Sequence, residues 1–262
     1  MSARYFDTHC HLASERFAED VDDVVADSLA AGVGMLTVAG DPASSYRSLE
    51  LAERHPGVYA AVGVHPNDVA ELTDEAWEEI VMLARSPRVK AIGETGLDYY
   101  WKDTPPEVQR KWFEKHIELS LATGKPLSVH ARDSVRDVLD MLRPHLSGGL
   151  KAIWHCFVAG KKDIGPALEF AIENGLYLAV GGLVTFEDQK PLRAHAPLIP
   201  DELLLLETDA PYLAPRPKKT NRNTPTGVIR VAEVLAELRE TAAEEIARTT
   251  TRNALRLLSI DD

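Results

Sequence analysis

Cysteine is almost missing from this chain. Two thiols, Cys10 and Cys156, stand in 262 residues. That is too few for a disulfide-stapled scaffold, and it points to a reducing compartment. Long apolar runs are missing as well. None approaches the ~18 residues of a membrane span. The N-terminal MSARYFDTHCHL has no apolar core of signal-peptide length. The expected location is therefore the cytoplasm, with no membrane partner. Positive charge is also short: 29 Lys and Arg against 41 Asp and Glu give a formal charge of −12. A protein that grips long duplex nucleic acid non-specifically usually carries a basic surface. This chain can meet a polyanion only at a local site, where bound divalent cations reverse the sign. Gly/Ser linkers and low-complexity tracts are absent too, so residues 1–262 read as one domain.

What is present is a series of short apolar runs. They are RYFDTHCH (4–11), GMLTVAG (34–40), VYAAVGVHP (58–66), VKAIGETG (89–96), PLSVHARD (126–133), LKAIWHCF (150–157), LYLAVGG (176–182) and LLLLETDAP (203–211). Most are nearly continuous in Val, Ile and Leu, as strands buried on both faces should be. Helical spacing fills the intervals 15–31, 42–55, 73–84, 105–123, 134–145 and 161–174, and 225–258 holds two or three more helices. Ser14 reads as the cap of the first helix, and Thr104 with Pro105 as the start of the fourth. The interval 184–201 is the least regular, because Pro191 and Pro197 interrupt it. Eight strands alternating with helices over about 250 residues predict a (β/α)₈ TIM barrel. A doubly wound sheet is the alternative, but no Gly-rich phosphate fingerprint follows the first strand.

The ligand-type residues fall at the strand ends. DTHCH (7–11) places Asp7, His9 and His11 on one face of a strand, with Cys10 on the other. Glu94 ends the fourth run, His130 the fifth, His155 the sixth and Asp209 the eighth. In a parallel barrel all these ends open on one side, where active sites are found. Four imidazoles and two carboxylates crowded there would be costly to desolvate without a counter-charge. Metal ions supply it. By alternation Ile92 and Glu94 share a face, as do Ile153 and His155, and Glu207 and Asp209. Cys10 and Cys156 then face the helices as core residues.

DTHCHL (7–12), GVHP (63–66), AIGETGLDYY (91–100), SVHARD (128–133), WHCF (154–157) and LLLETDAPYLAP (204–215) together resemble the TatD family of metal-dependent deoxyribonucleases, over essentially the whole chain. The resemblance implies a barrel, two divalent ions and hydrolysis of DNA phosphodiesters, as a 3′–5′ exonuclease on single-stranded ends. It implies His9, His11, Glu94 and Asp209 around one ion, and Glu94, His130 and His155 around the other. The bridging position holds a carboxylate, which suits Mg²⁺ or Mn²⁺, although the histidines would also accept Zn²⁺.

Asp209 is then the expected proton acceptor for the nucleophilic water, with Glu207 assisting it or orienting its neighbours. His65 is a candidate contact for phosphate or leaving group. Arg132 suits bidentate phosphate binding, or pairing with Asp133 or Glu94. RPKKTNR (216–222) concentrates Arg216, Lys218, Lys219 and Arg222 just after the eighth strand, as expected of a backbone guide. Tyr99, Tyr100 and Trp101 follow the fourth strand and could stack on bases or pack their own loop. Two rivals remain: an amide or lactone hydrolase acting on a small molecule, and a metal-stabilised binding protein without turnover.

Overall fold

The computed structural model describes residues 3–217 and 221–261. Eight strands form one sheet in sequence order. They are β1 (Tyr5–Cys10), β2 (Val33–Val38), β3 (Val58–Val62), β4 (Val89–Asp98), β5 (Leu127–Arg132), β6 (Ala152–Trp154), β7 (Tyr177–Val180) and β8 (Leu204–Leu206). Each neighbouring pair is parallel. The helices between them are α1 (Val21–Ala30), α2 (Pro42–Arg54), α3 (Asp74–Leu83), α4 (Pro106–Thr123), α5 (Val135–Leu146), α6 (Ile164–Asn174) and α7 (Lys190–His195). After β8 come α8 (Gly227–Arg239) and α9 (Ala243–Leu257). This is the (β/α)₈ barrel expected from the alternation of runs.

Two apolar layers hold it. Phe6, Leu36, Ala61, Ala91, Ile153, Ala179 and Leu205 fill the inside of the barrel, together with Leu257 and Leu258 at the end of α9. The opposite faces of the same strands pack on the helices through residues such as Met35, Val62, Ile92, Val129, Trp154 and Leu206. Full burial of each such side chain contributes about 1.5–3 kcal/mol. A wholly apolar inner layer occupies the lower part of the barrel, and the ionisable residues sit above it.

The barrel closes at the candidate ligands. Cys10 and Ala210 form a parallel bridge. The Asp209 amide donates to the His9 carbonyl at 2.8 Å, and the His11 amide to the Ala210 carbonyl at 2.7 Å. The seam between β1 and the chain after β8 therefore fixes three ligand-type residues against one another.

Several local expectations need correction. Ser14 caps a single 3₁₀ turn at Glu15–Phe17, and α1 begins only at Val21. Thr104 does not cap α4, because its hydroxyl donates to the Asn67 carbonyl at 2.8 Å. Pro191 stands in the first turn of α7 rather than interrupting it, since a missing N–H is harmless there. Strand β4 runs on to Asp98, so Glu94 is not its last residue. Ile92 packs toward the helices while Ala91 faces the barrel interior, so Ile92 and Glu94 do not share a face. The register shifts between Ile92 and Thr95, which changes the parity of the strand. Two glycines allow it. Gly93 and Gly96 have φ of 139° and 131°, and a Cβ on either would fall 2.5 Å from Ser128 O or 2.1 Å from His130 O. No other residue fits those positions.

Candidate metal centre

Glu94 sits at the centre of the barrel mouth and is 4% exposed. Its two oxygens face two different groups. On one side, Oε2 lies 3.4 Å from His9 Nε2 and 3.6 Å from His11 Nε2. Asp209 Oδ1 completes that group at 3.2 Å from His11 Nε2. On the other side, Oε1 lies 3.1 Å from both His130 Nδ1 and His155 Nε2. The structure thus gathers the other five residues expected as ligands around the Glu94 carboxylate. His9, His11 and Asp209 form one possible coordination group, and His9, Glu94 and His155 a second.

The partners behind the rings decide which nitrogen is free. His11 Nδ1 is 2.9 Å from the Val38 carbonyl, an acceptor only, so the ring donates there and, when neutral, keeps its lone pair on Nε2. His130 Nε2 donates to Asp98 Oδ2 at 3.1 Å, which in the neutral ring leaves the Nδ1 lone pair facing Glu94. His9 Nδ1 meets the Ser128 hydroxyl at 3.1 Å, and His155 Nδ1 lies 3.6 Å from Glu207 Oε1. The inward nitrogens come in close pairs: His9 and His11 Nε2 at 3.2 Å, His130 Nδ1 and His155 Nε2 at 3.3 Å. Lone pairs aimed at one another and at a carboxylate repel unless a proton or a metal cation lies between them. Outward nitrogens anchored on carboxylate or carbonyl are the usual support of metal-ligating imidazoles. The donor set fits divalent metal ions.

Electrostatics follow from burial and crowding. Burial pushes His9 down to about 4, with His155 adding to the effect. Burial acts the same way on His155, but Glu94 and Glu207 overcome it and raise the ring well above its ordinary value. For Glu94, burial is outweighed by His155, His9, His65 and the His130 hydrogen bond, which hold the carboxyl well below the usual range. Asp209 is likewise lowered despite burial, chiefly by its hydrogen bond with His11. Glu207 goes the other way, because burial raises it more than His155 lowers it.

His65 lines the cleft beside Glu94, with Nε2 3.8 Å from Oε1. Burial holds it down to about 3. Its Nδ1 accepts from the Asn67 amide at 3.1 Å, so Nε2 carries the hydrogen. The donor atoms of His65, Asp98 and His130 lie close enough together to resemble a third ligand group. Geometry argues against that reading. His65 Nε2 and His130 Nε2 both carry hydrogens, so neither offers a lone pair.

The remaining expected residues are more dispersed. Glu207 is fully buried beneath His155 and accepts from the Cys156 amide at 2.6 Å. It is placed to orient His155 rather than to touch a substrate. Asp7, expected on the ligand face, instead braces the seam, accepting from Thr208 N at 2.9 Å and Thr208 Oγ1 at 2.5 Å. Burial raises its carboxyl well above the ordinary value despite these bonds. Arg132 lines the cleft and lies 3.9 Å over the Tyr100 ring. Arg216 lies 4.7 Å over Phe186. Arg222 is held by both oxygens of Asp20, with Nη1–Oδ1 at 2.9 Å. Lys218 and Lys219 lie outside the described residues. The thiols of Cys10 and Cys156 are free, and neither joins a ligand group among the described residues.

Sequence reasoning missed Asp98 and Ser128, which orient His130 and His9. The signal for Asp98 was available in GETGLD: Glu94, Gly96 and Asp98 alternate along one strand. Ser128 carried none.

The TatD related DNase family matches residues 6–259. An uncharacterized metal-dependent hydrolase of Bacillus subtilis is 37% identical over 257 residues, covering 98% of this chain and 99% of that protein. A Salmonella typhimurium protein named 3′-5′ ssDNA/RNA exonuclease TatD is 36% identical over 261 residues, covering 97% and 99%. The crystal structure of YJJV, a TatD homologue from Escherichia coli, superposes over 100% of both chains with a TM-score of 0.91 at 29% identity. With its histidine and acidic groups positioned to bind metal ions, the chain belongs to the TatD family of metal-dependent hydrolases.

Proposed function

We propose that this protein is a two-metal phosphodiesterase that removes nucleotides from the 3′ ends of single-stranded DNA. The observation that carries the reading is the division of Glu94, one oxygen toward His9 and His11, the other toward His130 and His155. A carboxylate placed in this way suits a bridge between two ions, and Mg²⁺ or Mn²⁺ fits its hardness. Divalent ions bound there would polarise the phosphodiester and make a bound water acidic. The Salmonella relative's name supports single-stranded nucleic acid as the substrate class.

In this reading Asp209 takes the proton of the attacking water on its carboxylate, which stands beside His11 at the mouth of the barrel. The water oxygen bonds to phosphorus, the bond to the 3′ oxygen breaks, and the leaving oxygen takes a proton from solvent. His65 offers its Nε2 hydrogen to a phosphate oxygen as a neutral donor. Arg132 guides the backbone at the rim of the cleft. Residues 1–262 act as one hydrolase domain in the reducing cytoplasm, where two free thiols are stable.

The test uses metal-stripped protein, with the strip verified by elemental analysis, on 5′-labelled single-stranded DNA. Mg²⁺ or Mn²⁺ should generate a ladder shortened from the 3′ end, and a chelator should abolish it. Asp209→Asn should lower kcat by about a thousandfold with the fold intact. Full turnover by metal-free enzyme would overturn the reading. So would inertness toward DNA with ready hydrolysis of a lactone or cyclic amide.

A further inference from the structure

Asp98 touches two parts of the cleft at once. It is 1% exposed. Its Oδ2 accepts from His130 Nε2 at 3.1 Å and from Asn67 Nδ2 at 3.4 Å. Its Oδ1 accepts from the backbone amides of Tyr100 at 2.9 Å and Trp101 at 3.2 Å. The backbone of Asp98 is itself clamped by Gln109, which accepts from its N–H at 2.8 Å and donates to its carbonyl at 2.9 Å. Gln109 also donates to the Thr104 carbonyl at 3.0 Å, closing the other end of the loop. That loop holds Tyr100 and Trp101 at the rim, each 50% exposed, with Arg132 lying over the Tyr100 ring.

We infer that Asp98 is a positioning residue with two tasks: one oxygen fixes the tautomer of His130, and the other fixes the aromatic loop that a single strand crosses. The inference rests on the proposed function for what the cleft receives. The chemistry of the first task is direct. A carboxylate only accepts, so His130 Nε2 must donate, and the neutral ring must then present its Nδ1 lone pair inward. The second task follows from the two amides that share Oδ1. Without that acceptor the turn at 99–101 loses its anchor, and the stacking faces lose their orientation.

An amide in place of the carboxylate cannot serve both tasks. In Asp98→Asn the oxygen stays with the two backbone amides, since those donors cannot turn away. The –NH₂ then faces His130 Nε2 and forces it to accept, which moves the ring hydrogen to Nδ1. Zn²⁺ alone is the probe, read by calorimetry and by long-range ¹⁵N–¹H spectra of labelled histidine. In the wild-type Zn²⁺ complex His130 should show an Nε2 hydrogen and a metal-bound Nδ1. Asp98→Asn should weaken Zn²⁺ binding about 10- to 100-fold and remove that signature, while acrylamide quenching of tryptophan fluorescence stays as in wild type.

Trp101→Ala should leave Zn²⁺ affinity unchanged and weaken binding of oligothymidylate several-fold in the Asp209→Asn background. An Nδ1 hydrogen on His130 in the wild-type Zn²⁺ complex would overturn the inference, and this needs no variant to fold. Unchanged Zn²⁺ affinity and His130 spectrum in folded Asp98→Asn would overturn it as well. Unaltered oligothymidylate affinity in Trp101→Ala would remove the second task. If oligothymidylate fails to bind the Asp209→Asn parent while the Zn²⁺ results hold, the choice of nucleic acid as substrate fails and the role of Asp98 toward His130 stands.

Discussion

The two sides of Glu94 are built from the same rings and held in different ways. On the β1–β8 side, His9 and His11 rest on neutral partners, the Ser128 hydroxyl and the Val38 carbonyl, and a carboxylate stands in front of them as Asp209. On the β5–β6 side the acids stand behind the rings, Asp98 behind His130 and Glu207 behind His155. Burial ends differently from ring to ring, and His11 on the first side is itself raised, by Asp209 and Glu94 against burial. His9 is pushed down to about 4, while His155 rises well above its ordinary value because Glu94 and Glu207 outweigh burial. A carboxylate in front can act on substrate and water; one behind can only tune and aim its ring. In the proposed reading, the proton-moving chemistry belongs to the β1–β8 side and electrostatic support to the other.

Removing what the two sides share should have the largest effect. Glu94→Gln takes a charge from both, and we expect kcat to fall by at least about three decades, the equivalent of several kcal/mol. Calorimetric titration should show weaker metal binding in both halves. Loss from one half alone would mean that Glu94 belongs to that half and does not bridge.

A buried histidine away from the centre supplies the background for any acid titration of these two halves. His116 accepts from the Val64 amide at 3.1 Å and bonds the Trp112 carbonyl at 2.7 Å through its other nitrogen. Burial lowers it from 6.5 to about 4, against the small opposing effect of that carbonyl. Between those values the unfolded chain takes up a proton that the folded chain refuses. Stability is full above pH 6.5 and falls as pH drops toward 4, by about 3 kcal/mol in all. Urea unfolding of metal-free protein between pH 7 and pH 5 should lose about 2 kcal/mol more in wild type than in His116→Gln, on top of what His9 and His65 add to both. An equal loss in His116→Gln would assign the acid sensitivity to the metal centre instead.

The finest test compares the supports themselves. Glu207→Gln should weaken metal binding about 10- to 100-fold, because it removes a charge behind His155. Ser128→Ala removes one neutral hydrogen bond behind His9, worth about 1 kcal/mol or fivefold. Equal effects in the two variants would erase the distinction between the sides.

The six ligand-type residues were legible because of how a parallel barrel is wired. Every strand returns to the same end, so a His or acid after an apolar run arrives at one mouth without knowledge of any contact. His9, His11, His130, His155 and Asp209 needed only that rule. Glu94 was found by the same rule, although β4 continues past it to Asp98, and the run's apparent end at Gly96 hid both the extension and the parity change. The two glycines around Glu94 were visible, but the close approach of Ser128 and His130 that requires them was not.

The tertiary structure alone decided the rest. Ser128 meets His9 across 119 positions, Asp98 meets His130 across 32, and Asp20 claims Arg222 across 202. A cluster of charge in sequence does not reveal which member an acid from a distant loop will hold. Sequence by itself determined the barrel, the mouth and the ligand types, since these follow from periodicity and strand direction. The tautomer of each ring, the separation of front and rear carboxylates, and the engagement of Arg222 depend on contacts of a few Å between remote segments. Such distances exist only once the chain has closed on itself.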